Sequence, residues 1–398
     1  MHAELSLIST IAVALGLALV LGFIAARLNL PALVGYLLAG VLIGPATPGF
    51  VADMNLASQL AEIGVMLLMF GVGLHFSLDD LLGVKRIALP GAVVQMGVAT
   101  ALGAGLGWAM GWSWGGSLVL GLALSVASTV VLLKALESRS QLDTANGRIA
   151  VGWLVVEDLA MVLVLVLLPA LSMPLGGHAA DAGHGGHGSP AEAGGLWWAL
   201  GKTLLLVAAF VALMLVAGRK LLPWLLWQVT RTGSRELFTL CVIAAAVTLA
   251  YVSSTLFGVS FALGAFFAGM VLRESEFSHR AAEESLPLRD AFAVLFFVSV
   301  GMLFDPRVLL EQPLQVLGVV AVIVVGKSLA AAGLVLLMRY PLSTALTVAT
   351  GLAQIGEFSF ILVALGVNLG LMPMEGQSLV LAGALISIAL NPLLFAAN

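Results

Sequence analysis

Long apolar stretches alternate with short polar ones along almost the whole chain. Most run to about 20 residues, the length a helix needs to cross the roughly 30 Å hydrocarbon core of a bilayer. The pattern predicts thirteen spans, over residues 5–25, 32–45, 56–74, 87–108, 115–133, 149–171, 196–217, 236–253, 258–272, 291–304, 313–337, 342–366 and 378–396. Spans two, nine and ten are short and rich in Gly. Element ends read from sequence drift by several residues, so the count stays open between twelve and fourteen. The first span is not expected to be a cleaved leader, because no Lys or Arg precedes its apolar run and Arg27 follows it.

Parts of the pattern occur twice. Leu33–Gly40 (LVGYLLAG) resembles Leu263–Gly269 (LGAFFAG), with Gly35 on Gly264 and Gly40 on Gly269, an offset of 229. Phe70–Phe76 (FGVGLHF) resembles Val298–Phe304 (VSVGMLF) at an offset of 228. A shift of seven spans is odd, so the second copy is expected to lie inverted in the membrane. Inverted repeats recur in secondary transporters, whose sites lie near the midplane where helices break. The offset of 229 carries Leu124–Val130 (LSVASTV) in span five onto Ala353–Ser359 (AQIGEFS) in span twelve. Both are polar islands inside apolar helices. One reading makes them ordinary small-residue packing faces. The other makes them two broken helices that cross and bring opposed helix ends to one spot, with Ser and Thr satisfying the freed backbone groups.

Composition agrees with a lipid-solvated chain. Of 398 residues, 61% are apolar types and 10% are charged, and the mean hydropathy is +1.12. A soluble globular chain is about half apolar and about a quarter charged. A soluble enzyme, a nucleic-acid-binding domain and a disordered tail are thereby excluded. The single Cys241 leaves no internal disulfide and no Cys-based zinc site. The net charge of −4 is spread over loops and identifies no partner. Charge placement tells more. With thirteen spans and an outside N-terminus, fourteen Lys and Arg residues, from Arg27 to Arg339, fall on the cytoplasmic side, and Arg307 alone falls outside. This positive-inside asymmetry predicts a periplasmic N-terminus and a cytoplasmic C-terminus in a bacterial inner membrane. Lys202 and Lys327 fall within spans, Lys202 near enough to an end to snorkel. A Gly- and His-rich outer loop over 172–195 carries His178, His184 and His187. Such tracts sometimes hold metal, but a flexible hairpin with incidental histidines explains them more simply.

Ionisable groups at membrane depth are costly to desolvate, which makes them functional candidates. Glu157 and Asp158, in GWLVVEDLAM, lie near the middle of span six. Neighbours on a helix point about 100° apart, so one carboxylate can face a cavity while the other packs against a second helix. A midplane carboxylate can hold a cation when ionised and a proton when neutral. That competition is the minimum chemistry of antiport; the alternative is a pair used only for helix packing. Lys327, in VVGKSL on span eleven, lies about ten residues from the inner end at Arg339, deeper than an easy snorkel. Its expected partner is Glu157, either as a switch broken by an arriving ion or as a permanent structural pair. Glu357 in the span-twelve island is expected to hold the crossing or face the ion path. Glu62 is placed in an outer vestibule or at the interface. Asn391, before Pro392, is expected to satisfy a kinked backbone. Asp79-Asp80 and Glu283-Glu284 are read as solvated inner loops.

These residues carry a resemblance. Pro31–Pro45, Gly73–Phe76, Ser125–Leu133, Gly152–Asp158, Ser260–Leu272, Phe296–Pro306 and Gln354–Phe360 resemble the membrane domain of the monovalent cation:proton antiporter-2 family. Within it they resemble the Kef-type potassium efflux branch, and the YbaL-like proteins most of all. The likeness covers essentially the whole chain as one transmembrane antiporter domain, 1–398. It implies an all-α polytopic membrane protein of about thirteen transmembrane helices. Two inverted six-helix repeats and two discontinuous crossing helices are implied, the sodium–proton antiporter fold of the NhaA/NapA kind. Helices two to six of the first repeat would occupy 26–171, and the second repeat 236–396. A core domain carrying the ion site would move, elevator-like, against a dimerisation domain in a homodimer.

By the resemblance, Asp158 matches the essential ion-binding aspartate, the residue that would hold the transported monovalent cation. Glu157 takes the preceding place, which is Asp in sodium-exchanging relatives and Gln in typical potassium-efflux relatives. Lys327 matches the membrane lysine that pairs with that acid in some relatives. Ser125, Ser128 and Thr129 match the first broken helix, and Gln354 to Glu357 the second. Kef-type relatives usually continue into a nucleotide-binding regulatory domain, but no glycine-rich dinucleotide fingerprint occurs in these residues.

The function expected from the sequence is secondary antiport of K+, with Na+ as the alternative, against protons. No enzyme activity, resident cofactor or nucleic-acid partner is expected; the partners are the bilayer, the ions and a second copy of the chain. Two other classes fit less well. A proton-regulated potassium channel would need a continuous polar pore, and no carbonyl-filter sequence is visible. An anion symporter would need a deep positive site, whereas the buried balance is acidic.

Overall fold

The computed structural model describes residues 6–48, 52–75, 78–137, 139–141, 144–178, 201, 205–206, 208–257 and 261–397. Most of the His-rich loop and Lys202 lie outside the described residues, and so do the side chains of Asp79 and Asp80. The described chain is all helical. In order come α1 (Ser6–Arg27), α2 (Ala32–Ile43), α3 (Met54–His75), α4 (Leu78–Ala109), α5 (Trp114–Ser125), α6 (Thr129–Glu137) and α7 (Ala145–Leu171). Then follow α8 (Ala208–Thr230), α9 (Arg235–Phe257), α10 (Phe261–Arg273), α11 (Ser278–Met302), the short α12 (Val308–Glu311) and α13 (Pro313–Leu337). Last are α14 (Leu342–Leu352), α15 (Glu357–Asn368) and α16 (Met374–Ala396).

Among the described residues nine helices are long and apolar enough to cross a membrane, and α14 with α15, bent by 44°, makes a tenth. The protein is therefore a polytopic membrane protein with all-α architecture. Helices α2, α5 and α10 are apolar but shorter, at 12, 12 and 13 residues. Local signals set several starts. The Ser113 hydroxyl accepts the Gly116 N–H at 3.1 Å to cap α5, and Thr144 accepts the Gly147 N–H at 3.1 Å to cap α7. Proline precedes α2, α14 and α16, where extended backbone is favoured.

Three elements differ from the spans read off the sequence. Span four, expected over 87–108, begins at Leu78, so the backbone of Asp79 and Asp80 is helical rather than a loop. Span ten, expected over 291–304, is the C-terminal half of a 25-residue helix that begins at Ser278. Its first half carries Arg280, Glu283, Glu284, Arg289 and Asp290; Arg and Glu are good helix formers, but their charge hides a helix from any search for apolar runs. Glu283 and Glu284 thus lie on a helix rather than in a loop, and the Glu284 carboxylate accepts Arg235 Nε at 2.8 Å and the Thr239 hydroxyl at 3.0 Å. Span seven, expected to end at 217, continues through Arg219 and Lys220 to Thr230. Arg219 is paired there with Glu274, and the connection to α9 shrinks to four residues, 231–234.

Packing falls largely into two groups. Helices α1, α2, α3, α9, α10 and α11 pack on one another, and α4 to α7 pack with α13 to α16. Glycine allows the closest approaches in the first group. A Cβ on Gly40 of α2 would strike the Val298 carbonyl and Gly301 of α11, and one on Gly73 of α3 would strike the Phe266 carbonyl and Gly269 of α10. Backbones touch at both places, as small residues permit in membrane helices. The second group encloses most of the buried polar side chains.

Candidate ion-binding site

Both polar islands are breaks in helices. Helix α5 stops at Ser125, Val126 is extended (φ −97°, ψ 142°), and α6 restarts at Thr129. The Ser125 hydroxyl donates back to the Leu122 carbonyl at 2.7 Å, a local bond that competes with helix propagation. Helix α14 stops at Leu352, and α15 restarts at Glu357 after an extended Gly356. The breaks cross in contact: a Cβ on Gly356 would run into Ser128. Gln354 stitches them together. Its Oε1 accepts the Ser128 N–H at 2.9 Å, and its Nε2 donates to the Ser128 carbonyl at 3.1 Å and the Gly351 carbonyl at 3.1 Å.

A broken buried helix leaves carbonyls and N–H groups without helical partners, and each must be satisfied. On the carbonyl side, Leu122 takes the Ser125 hydroxyl, Ala123 takes the Ser359 hydroxyl at 2.6 Å, and Ser125 takes Gln95 Nε2 at 3.0 Å. Val126 and Gln354 both take the Lys327 ammonium, at 3.2 and 2.7 Å. The π-helical turn Val322–Gly326 immediately precedes Lys327 and shifts the register of side-chain directions there. Lys327, fully buried, thus sits on the C-terminal carbonyls of both breaks, where helix dipoles are negative. On the N–H side, Ala127 donates to Glu157 Oε2 at 2.9 Å, and Val131 donates to the Ser128 hydroxyl oxygen at 3.4 Å. That hydroxyl donates to Glu357 Oε2 at 3.0 Å. Glu357, in the first turn of α15 and touching the start of α6, therefore lies where the dipoles are positive.

Helix α7 brings the remaining pair. The Thr129 hydroxyl donates to Asp158 Oδ2 at 3.0 Å. Lys327 and Glu157 form no direct ion pair. They meet through one peptide unit, with the ammonium on the Val126 carbonyl and the carboxylate on the Ala127 N–H. Glu157, Asp158 and Glu357 are 0, 4 and 1% exposed, and each keeps one oxygen without a hydrogen-bond partner: Glu157 Oε1, Asp158 Oδ1 and Glu357 Oε1. A buried carboxylate oxygen left open in this way can accept a proton or ligate a cation.

The residues singled out from sequence, Ser125, Ser128, Thr129, Glu157, Asp158, Lys327, Gln354 and Glu357, therefore surround one crossing. Ser125 takes part through its backbone carbonyl, since its hydroxyl caps its own helix. Glu62, half-buried on α3, belongs to the other packing group. Asn391 donates to the Thr350 carbonyl at 2.8 Å and so supports α14 from α16. Among the described residues no three His, Cys, Asp or Glu side chains meet as a resident metal centre. Two residues were missed. Gln95 on α4 bonds the Ser125 carbonyl, and its Oε1 accepts the Trp153 indole N–H at 3.3 Å. A lone amide inside an apolar helix was the only available signal.

Comparison with known proteins places the chain in a family. The family described as sodium/hydrogen exchanger, transmembrane, matches residues 13–396. YbaL of Escherichia coli (strain K12), named for cation/proton antiport, is 59% identical over 396 residues, covering 100% of this chain and 69% of its own. K(+) efflux antiporter 4 of Arabidopsis thaliana is 33% identical over 394 residues, covering 98% of this chain and 64% of its own. The sodium proton antiporter MjNhaP1 of Methanocaldococcus jannaschii superposes with a TM-score of 0.73 at 16% identity, over 100% of this chain and 99% of that one. The chain belongs to the transmembrane sodium/hydrogen exchanger family, within the monovalent cation:proton antiporter superfamily, and is a secondary-active cation/proton antiporter rather than an enzyme.

Proposed function

We propose that this chain exchanges K+, with Na+ as the alternative, for protons, and that the cation and the proton compete for Asp158. The observation that carries the reading is the buried Asp158 carboxylate, one oxygen held by Thr129 and the other open, beside the crossing of the two breaks. With the site open to the cytoplasm, a cation settles on ionised Asp158 with the Thr129 hydroxyl beside it. The core then shifts, the cation leaves outside, and a proton replaces it. Glu157 and Lys327 balance charge across the Val126–Ala127 peptide, and Glu357 and Ser128 hold the opposite helix ends. Potassium is favoured by the plant relative's name. Sodium has the family description on its side.

An elevator-like motion within a homodimer fits the two packing groups, with α4 to α7 and α13 to α16 as the moving body. Two inverted repeats also fit the element starts: Ser6 and Arg235, Ala32 and Phe261, and Ala145 and Met374 each lie 229 positions apart. The Ser128–Glu357 hydrogen bond joins residues separated by that same 229. Gly40–Gly301 and Gly73–Gly269 are the same contact in the two copies, Gly40 matching Gly269 at an offset of 229 and Gly73 matching Gly301 at 228. With α8 as the unrepeated helix, the arrangement has thirteen spans, the N-terminus periplasmic and the C-terminus cytoplasmic in an inner membrane.

Proteoliposomes holding a pH-sensitive dye test the exchange. The expected result is cation-driven proton movement in the wild type and none above background in Asp158→Asn. Full exchange in Asp158→Asn would refute the role of Asp158. Uncoupled cation current in the wild type would favour a channel instead.

A further inference from the structure

Gln95 lies away from the acids, yet it joins the three elements that shape their surroundings. It is fully buried on α4. Its amide donates to the last carbonyl of α5 and accepts the indole N–H of Trp153 on α7. Trp153, also fully buried, precedes Glu157 by four residues, one helical turn, so both project from the same face of α7. Gly91 precedes Gln95 by the same four residues, and a Cβ there would collide with the Trp153 ring. Gly91 thus opens the slot for the ring, and Gln95 receives its N–H. The break and α7 are otherwise tied only through the acids in the described hydrogen bonds, by Ala127 to Glu157 and Thr129 to Asp158. Both of those ties end on a carboxylate of the proposed ion site. Gln95 itself bonds none of the acids; the indole N–H it accepts also lies close to Glu157, so the tie links the first break to the neighbourhood of that acid without ending on it.

From this geometry we infer that Gln95, clamped by Trp153, is a positioning residue that sets the spacing between the first break and α7, and with it the affinity and discrimination of the site for monovalent cations. The inference rests on the proposed ion site and assigns its tuning to residues outside it. An amide is suited to the task because it donates and accepts at once. It carries no ionisable group, so the tie neither gains nor loses a proton during exchange. Once it is lost, the Ser125 carbonyl is free to swing, and Thr129 shifts relative to Asp158.

The test measures exchange of Li+, Na+ and K+ by purified protein in proteoliposomes. Wild type is compared with Gln95→Leu, Trp153→Phe and the double variant, each first checked for a monodisperse peak in detergent. Trp153→Phe keeps an aromatic side chain but removes the N–H together with part of the indole's bulk, and it provides a second variant if Gln95→Leu does not fold. The expected outcome for each single variant is a KM for the preferred cation raised about fivefold, the size of one lost hydrogen bond. The maximal rate per molecule stays within about twofold, and the KM ratios among the three ions move toward one another. The double variant should resemble a single one, because both break the same tie. Loss of maximal rate with unchanged KM ratios would reduce Gln95 to a structural role and overturn the inference, as would additive KM effects. Wild-type exchange that vanishes in Asp158→Asn, measured alongside, separates failure of this inference from failure of the ion site itself.

Discussion

Lys327 shows how a single side chain can stand in for missing helix geometry. Both breaks end in carbonyls with no helical N–H to meet them, and one ammonium serves Val126 and Gln354 together. Replacing it with Met keeps the apolar stem and removes every donor. Two buried carbonyls would then lack partners, at about 1–3 kcal/mol each, and Glu157 would lose the opposing charge behind the Ala127 peptide. Lys327→Met is expected to lower stability by about 2–4 kcal/mol, read as a drop of several degrees in the unfolding midpoint in detergent. An unchanged midpoint would mean that the breaks find other donors. From sequence alone the same lysine suggested a partner for Glu157. That a peptide unit would stand between them could not be foreseen, because it depends on the backbone path of the break and not on any residue type.

Among the elements, the two broken spans were the most legible. LSVASTV and AQIGEFS interrupt apolar runs with groups that satisfy backbone, and the offset of 229 pointed from one to the other. Less legible was anything whose signal is not apolar. Charges along its first half hid the N-terminal half of α11. The Arg219-Lys220 pair looked like the end of α8 although the helix runs on to Thr230. Gln95 carries no charge and repeats no motif, so only the fold reveals that it faces the Ser125 carbonyl. The crossing itself depends on Gly356, where any Cβ would press into Ser128. Gly356→Ala is therefore expected to separate the breaks, weaken the Gln354–Ser128 stitches and reduce exchange at least about tenfold while the bundle still inserts. Rates normalised to protein recovered in the vesicles check this. Near-normal exchange would show that the breaks need not touch.

The molecule as a whole places a few charged groups at one dry crossing within a body otherwise built from apolar helices. Its likeness to MjNhaP1 across the full length, at only 16% identity, shows how far such a helical frame tolerates sequence change. In the proposed exchange, cation and proton occupy Asp158 at that crossing by turns and never together. Competition of this kind has a kinetic signature that no structural role for Asp158 would produce. The most direct measurement is the apparent KM for the transported cation across a series of equal inside and outside pH values, in proteoliposomes of wild-type protein. If cation and proton compete for Asp158, KM rises as pH falls, approaching about tenfold per unit on the acid side, while the maximal rate at saturating cation stays level over that limb. A KM independent of pH, with the maximal rate alone falling in acid, would contradict it.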